Sequence, residues 1–366
     1  MLTMLTMRLI ARGVPLLIAV AMTSSSAPAA QPGLLERLEV APAEVRLVGR
    51  LDRVQLVVTG VRPDGSLVDV TSEATIVPGR TGVVSVVRGA VVASGDGATE
   101  LRVRVGERLV RVGVQVSRCA DPPRVGFETG LLAALSKQGC SSGGCHGAPA
   151  GKGGFRMSLR GFDPRLDVET LIREQFGRRT NTVNPDQSLL LRKPLMRVAH
   201  GGGQQLKVTD PVYSLIREWI GQGCRPDSAG SARCVRTEVF PRDRVIEAPA
   251  TSQQLRVVAH FDDGSSRDVT HLAVFTSSNE GLAKVDRSGR VSGGGTGQVG
   301  ILVRYLDQMQ AARVTLIEDR PGFAWPNPES SNEVDRLVHQ RLKVLQVPPS
   351  ASSNDSQFLR RVSLDV

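Results

Sequence analysis

Two parts of this chain alternate apolar and polar residues with the two-residue period of a half-buried strand. The first closes on Glu100-Leu101-Arg102-Val103-Arg104-Val105 and on Leu109 to Val116, where apolar residues fall at every second position. The second closes on Val299 to Arg304 and Ala311 to Leu316 with the same period. Between them the spacing becomes helical. Phe127, Leu131, Leu132 and Leu135 share one face, as do Val168, Leu171 and Ile172. A last helix is expected after Thr209, with Val212, Leu215, Ile216, Trp219 and Ile220 at i, i+3, i+4, i+7 and i+8. Asp163-Pro164 supplies a cap followed by proline at the first helical position.

The strand-rich parts are copies of one another. Asp64-Gly65-Ser66-Leu67-Val68-Asp69-Val70-Thr71 aligns with Asp263-Gly264-Ser265-Ser266-Arg267-Asp268-Val269-Thr270. Val54 to Val58 precedes the first copy and Gln254 to Val258 the second. Each Asp-Gly pair is a hairpin signal, and several short strands in so short a span predict an antiparallel sandwich. The Asp-Gly-Ser-x-x-Asp-Val-Thr core, with the later turns at Asp286 to Val291 and Gly293 to Gly297, resembles bacterial immunoglobulin-like domains of group 2. The resemblance implies a spacer or adhesive role and nothing catalytic. His260 and His271 are expected to be strand or turn residues.

The candidate chemistry lies between the copies. Cys140-Ser141-Ser142-Gly143-Gly144-Cys145-His146 puts two thiols and an imidazole within seven residues. Two thiols can add to the vinyl groups of a haem, and the adjacent imidazole can reach its iron. The usual attachment motif has two residues between the cysteines; here there are four, and Gly143 and Gly144 are expected to let the backbone bow outward. One covalent haem c per chain is the expected cofactor, bound by Cys140, Cys145 and His146 and filling the core of its segment. From the residues alone His200 and Met196 are equal candidates for the second axial ligand, with Met157 expected in the core. Lys152, Arg156, Arg160, Arg178 and Arg179 are expected to be solvated or to meet haem propionates.

The stretch from Cys140 to Asp167, the segment from Arg178 to Pro194 and the element His200-Gly201-Gly202-Gly203 together resemble the cytochrome c segment of planctomycete-type secreted multidomain proteins. There such a segment lies between immunoglobulin-like domains and domains of unknown function. The resemblance implies His200, rather than Met196, as the distal metal ligand beside His146. The expected fold class is therefore multidomain: two all-β immunoglobulin-like sandwiches flanking an all-α cytochrome c-like domain, with a helical C-terminal fragment. The expected limits are 1–29 for a signal peptide, 34–117 and 233–318 for the sandwiches, 118–228 for the haem domain, and 329–366 for the start of a truncated helical domain in which His339 is a surface residue.

Arg8, Arg12, the short apolar run Gly13 to Met22 and Ala27-Pro28-Ala29 have the form of a secretory leader. The run is shorter than the ~20 residues that span a bilayer, so no stable membrane span is expected after cleavage. The expected location is periplasmic, cell-surface or secreted. A net charge of +10 favours acidic partners, either a redox protein or a surface polymer. Nucleic acid is not expected, because the chain is exported and its basic residues do not cluster with aromatics. No Ser-His-Asp set, paired carboxylates or phosphate loop stands out, so the expected role is electron transfer or redox sensing and not catalysis. Two alternatives use the same residues: a cell-surface structural or adhesion protein with a Cys140–Cys145 disulfide, and a zinc site made by Cys140, Cys145, His146 and His200. Cys224 and Cys234 could close a second, short disulfide loop.

Overall fold

The structure is a computed structural model that describes residues 35–318, 320 and 322–365. The expected leader at 1–29 lies outside the described residues.

The first repeat folds into a sandwich. One antiparallel sheet has the order Arg37–Ala41, Val57–Val61, Leu67–Asp69; the facing sheet has the order Glu44–Val48, Arg108–Ser117, Gly97–Val105, Thr75–Pro78. Glu44–Val48 runs parallel to Arg108–Ser117, with Val45 opposite Val114 and Leu47 opposite Val116. A third small sheet joins Arg53–Gln55, Ala90–Ala93 and Val84–Val87. The alternation in sequence becomes alternation in burial: Leu101, Val103, Val112 and Val114 point inward while Arg102, Arg104 and Arg111 face water. The second repeat reproduces all three sheets in the same order, from Cys234–Phe240 to Gln308–Ile317.

The repeated motif explains why both copies fold alike. Asp64 and Asp263 each accept the N–H two residues on at 2.9 Å. This closes a turn through Gly65 and Gly264, whose φ values are +80° and +81°. The threonine hydroxyls then pin the neighbouring strand: Thr71 Oγ1 accepts from Val58 N and Thr270 Oγ1 from Val257 N, both at 2.8 Å.

The motif's other carboxylate crosses to the opposite repeat. Asp268 Oδ2 accepts the Gln55 N–H at 3.1 Å. Reciprocally, Asp69 Oδ2 accepts the Gln254 N–H and, at 3.2 Å, the Gln253 side-chain amide. Gln55 and Gln254 occupy equivalent positions, so the two repeats meet through a self-complementary contact of the kind that joins a twofold dimer, here within one chain.

The expected all-α cytochrome c-like domain is not present, and the fold class is corrected accordingly. The chain is predominantly β, with 33% strand against 21% helix. Residues 118–228 carry short helical pieces, Phe127–Leu132 running into Ala133–Lys137, then Pro164–Val168, Leu189–Arg192 and Pro211–Gly221, joined by turns and irregular chain. Phe127, Leu131, Leu135, Leu171, Leu191 and Trp219 belong to one continuous core with Leu255, Val257, Ile301 and Val314 of the second sandwich, whereas the first sandwich has a core of its own. Side chains thus occupy the interior that a haem was expected to fill. Polar ties reinforce the fusion: Tyr305 Oη donates to Thr129 O at 2.6 Å, Arg304 donates to Ser136 Oγ at 2.9 Å, and Lys137 Nζ donates to the carbonyls of Ala273 and Arg287.

Val212, Leu215, Ile216, Trp219 and Ile220 are all buried. The helix is entered through Asp210, one residue after the expected Thr209. Asp163 caps Pro164–Val168 by accepting from Arg165 N and Leu166 N, each at 3.1 Å. Near the C-terminus, Asn332 caps Glu333–Val344 by accepting from Asp335 N at 2.9 Å, and Asp355–Asp365 follows.

The cross-repeat contact carries a stability prediction. Asp268 is 6% exposed and also accepts Arg256 Nε at 2.8 Å. Removing one partner of such a buried pair costs about 3–5 kcal/mol. Asp268→Ala should lower unfolding stability by that order in urea titrations. Asp263→Ala, in the exposed turn, removes only solvent-exposed hydrogen bonds and should lower stability far less than Asp268→Ala in the same titration.

Candidate functional site

The Cys140 loop leaves the helical run Phe127–Lys137 through Gly139, whose φ is +79°. A series of short-range bonds then folds it back: Cys140 N to Leu135 O at 3.0 Å, Cys145 N to Ser142 O at 2.9 Å, and His146 N to Cys140 O at 3.0 Å. Gly143 and Gly144, expected to supply the unusual backbone, do not have positive φ. The glycine that the loop requires is Gly147, where an added Cβ would lie 2.2 Å from Ser141 O.

His146 is held from several sides. Its Nδ1 lies 3.1 Å from Phe155 O, and its ring packs on Phe155 with centroids 4.5 Å apart. Arg179 covers the Phe155 ring at 4.6 Å while donating to Thr170 O at 2.7 Å and Gly154 O at 2.9 Å. At 6% exposure Arg179 is a buried brace, contrary to the solvated role expected from sequence; Lys152, Arg156 and Arg160 are exposed. Asp167 is a second brace missed in the sequence. It is fully buried, accepts from Ser158 N at 2.7 Å and Ser158 Oγ at 2.6 Å, and burial raises its carboxyl pKa.

The three distal candidates separate. His200 lies beside His146, with ring centroids 6.2 Å apart and planes 22° from parallel. Its Nδ1 is 2.8 Å from Gly203 O. Met196 is 47% exposed, on a residue with φ +59°, and Met157 is core at 1%.

A pair of imidazoles is not by itself a metal centre. No group of three or more His, Cys, Asp or Glu among the described residues could hold a metal ion. The zinc reading of Cys140, Cys145, His146 and His200 therefore gains no support from this geometry. With no all-α cytochrome fold around the motif either, the cytochrome c, haem, iron and electron-transfer expectations have no support and are corrected. Neither expected disulfide is present: Cys119, Cys140, Cys145, Cys224 and Cys234 are all free thiols. Cys224 packs into the core and Cys234, which opens a strand of the second sandwich, packs against the same core.

No family model and no curated protein matches the chain. Among solved structures, domains 5–6 of the S-layer protein SbsC align over 78% of this chain and 99% of that chain, at 12% identity and TM-score 0.31. Domains 4–9 of SbsC align over 78% and 32%, at 11% identity and TM-score 0.31. The Yersinia pseudotuberculosis adhesin InvE aligns over 80% and 60%, at 9% identity and TM-score 0.17. No helix of the described residues is long and apolar enough to cross a membrane.

Two measurements check the local chemistry. Burial, and next the electrostatic effect of the neighbouring Cys145, push the Cys140 thiol up to about 12. Iodoacetamide should therefore modify Cys140 at least about tenfold more slowly than an ordinary thiol at pH 8, as read by peptide mass spectrometry. Burial first, and then the charge on His200, hold the His146 pKa below the ordinary imidazole value. The unfolded chain consequently binds more protons in that window, and the His146 contribution to stability is lost as pH falls through it. In an NMR titration, His200→Ala should raise the His146 pKa toward about 6.5.

Proposed function

We propose that this chain is an exported structural module of the cell surface, in which two immunoglobulin-like sandwiches form one stiff strut. The observation that carries this reading is the reciprocal hydrogen bonding of half-buried Asp69 and buried Asp268 to Gln254 and Gln55. Domains that only tether a catalytic unit need no such lock; relative motion is the usual state of tandem domains joined by small polar interfaces. The middle segment works in the same direction. It is fused to the second sandwich by a shared core and tied to the first by the ion pair of Arg50 with Glu218 at 2.6 Å. Its role in this reading is to brace the strut rather than to catalyse a reaction.

The test has two arms. Spin labels placed on exposed strand positions of the two sandwiches should give one narrow distance distribution by pulsed electron resonance, and Asp69→Ala with Asp268→Ala should broaden it. Broad distances in the parent would remove the strut. In the second arm the full chain is expressed with its leader alongside haem-maturation factors, fractionated, and weighed intact. The expected result is surface or periplasmic protein with the mass of the bare mature chain. Added tetrapyrrole mass on Cys140 and Cys145 would overturn the structural role.

A further inference from the structure

Beside the cross-repeat contact the two sandwiches leave a cleft of about 460 Å³, within the ~300–1,000 Å³ range of small-ligand sites. Both repeats build it. The first contributes Thr71, Ser72 and Arg88; the second contributes Ser252, Ser288 and Arg290. Ala74, Ile76 and Val86 add an apolar strip.

Two carboxylates also line the cleft, but both are committed elsewhere. Asp69 accepts from Thr71 N at 2.7 Å and from the Gln254 N–H. Asp286 Oδ1 accepts from Ser288 N at 2.8 Å, Ser288 Oγ at 2.7 Å and Arg290 N at 3.0 Å. The arginines are far less engaged. Arg290 donates to Ser252 Oγ at 3.1 Å. The Arg88 guanidinium has no hydrogen-bond or ion-pair partner among the described residues. Glu73 stands near enough for Arg290 to act on its carboxyl, though burial has the larger effect there and raises its pKa.

Arg88 sits in a tight turn. Arg88 and Gly89 take φ values of +51° and +79° in the turn between Val84–Val87 and Ala90–Ala93. Left-handed backbone at a non-glycine residue is uncommon and persists where the surroundings enforce it. The equivalent turn of the second repeat, Asp286 to Arg290, faces it across the cleft.

We propose that this cleft binds an acidic polysaccharide, with a uronate carboxylate on Arg88 and Arg290, ring hydroxyls on Ser72, Ser252 and Ser288, and the sugar C–H face on Ala74, Ile76 and Val86. An acidic peptide fits less well. Peptides commonly dock by adding a strand to a free edge, and the Gln254 N–H that borders this cleft is already taken by Asp69. The proposal names the partner of the surface module and rests on that reading.

Calorimetric titration of the full mature chain tests it, with a short alginate oligomer as probe. A neutral glucan oligomer of equal length and polyglutamate are the comparison ligands. Alginate should bind and should weaken with added salt; the neutral glucan should give no binding heat. Arg88→Gln and Arg290→Gln should each weaken alginate binding about tenfold or more with the melting temperature unchanged, and Arg290→Lys should recover part of the loss. Arg46→Gln, on an exposed arginine paired with Glu44, should leave binding intact. No heat with alginate, equal binding by both glutamine variants, or polyglutamate bound as tightly would each overturn the proposal. A chain found at the surface that ignores alginate loses this site and keeps the structural role; a haem-loaded chain loses the structural role whatever its response to alginate.

Discussion

A carboxylate taken out of water must be satisfied on the spot, and Asp69 and Asp268 are each satisfied by the other repeat as well as by their own. Asp268 accepts from Thr270 N within its own turn and from Gln55 N across the boundary. Asp69 does the same with Thr71 N and Gln254 N. Burial raises the pKa of both acids, the usual result of desolvation. Separating the sandwiches would strip the Gln55 and Gln254 N–H groups of these acceptors, so the contact favours one angle between the domains. The polar cleft next to it follows from that angle, since its two arginines come from different repeats.

The middle segment shows a different division of labour. Its helical pieces are too short to be stable alone, because isolated helices below about 12–15 residues are marginal in water. They persist because their apolar faces complete the core of the second sandwich, while the Trp219 and Phe127 rings, 5.8 Å apart, join two of the pieces to each other. The Cys140 loop is carried on this composite core. Its shape comes from Gly139 and Gly147 and from backbone bonds across the loop, while Phe155, Arg179 and Asp167 hold the His146 side.

Much of the β architecture was legible because its determinants are local. A period of two marks a half-buried strand, an Asp-Gly turn marks a hairpin, and the repeated Asp-Val-Thr places a carboxylate and a hydroxyl at fixed offsets from the strand they pin. The helical faces at Phe127 to Leu135 and Val212 to Ile220 were legible for the same reason. The middle segment was misread at the next level. Helical periodicity says that a face is buried and does not say against what. The expected answer was a haem enclosed by an all-α domain; the observed answer is the second sandwich. Arg179 and Asp167 escaped notice because isolated charges in a polar stretch carry no signal of burial.

The sequence by itself determined the repeat, the strand period, the turns, the helical faces and the presence of two thiols and two histidines in one segment, since each depends on neighbours a few residues apart. Only the tertiary structure decided that His200, and not Met196, lies beside His146. It also decided that the glycines between the cysteines are not the ones the loop needs, and that Asp69 and Asp268 bind across the repeats. Those outcomes depend on residues far apart in the chain, up to 213 positions for Asp268 and Gln55. Packing brings such residues together, and no local pattern encodes the match.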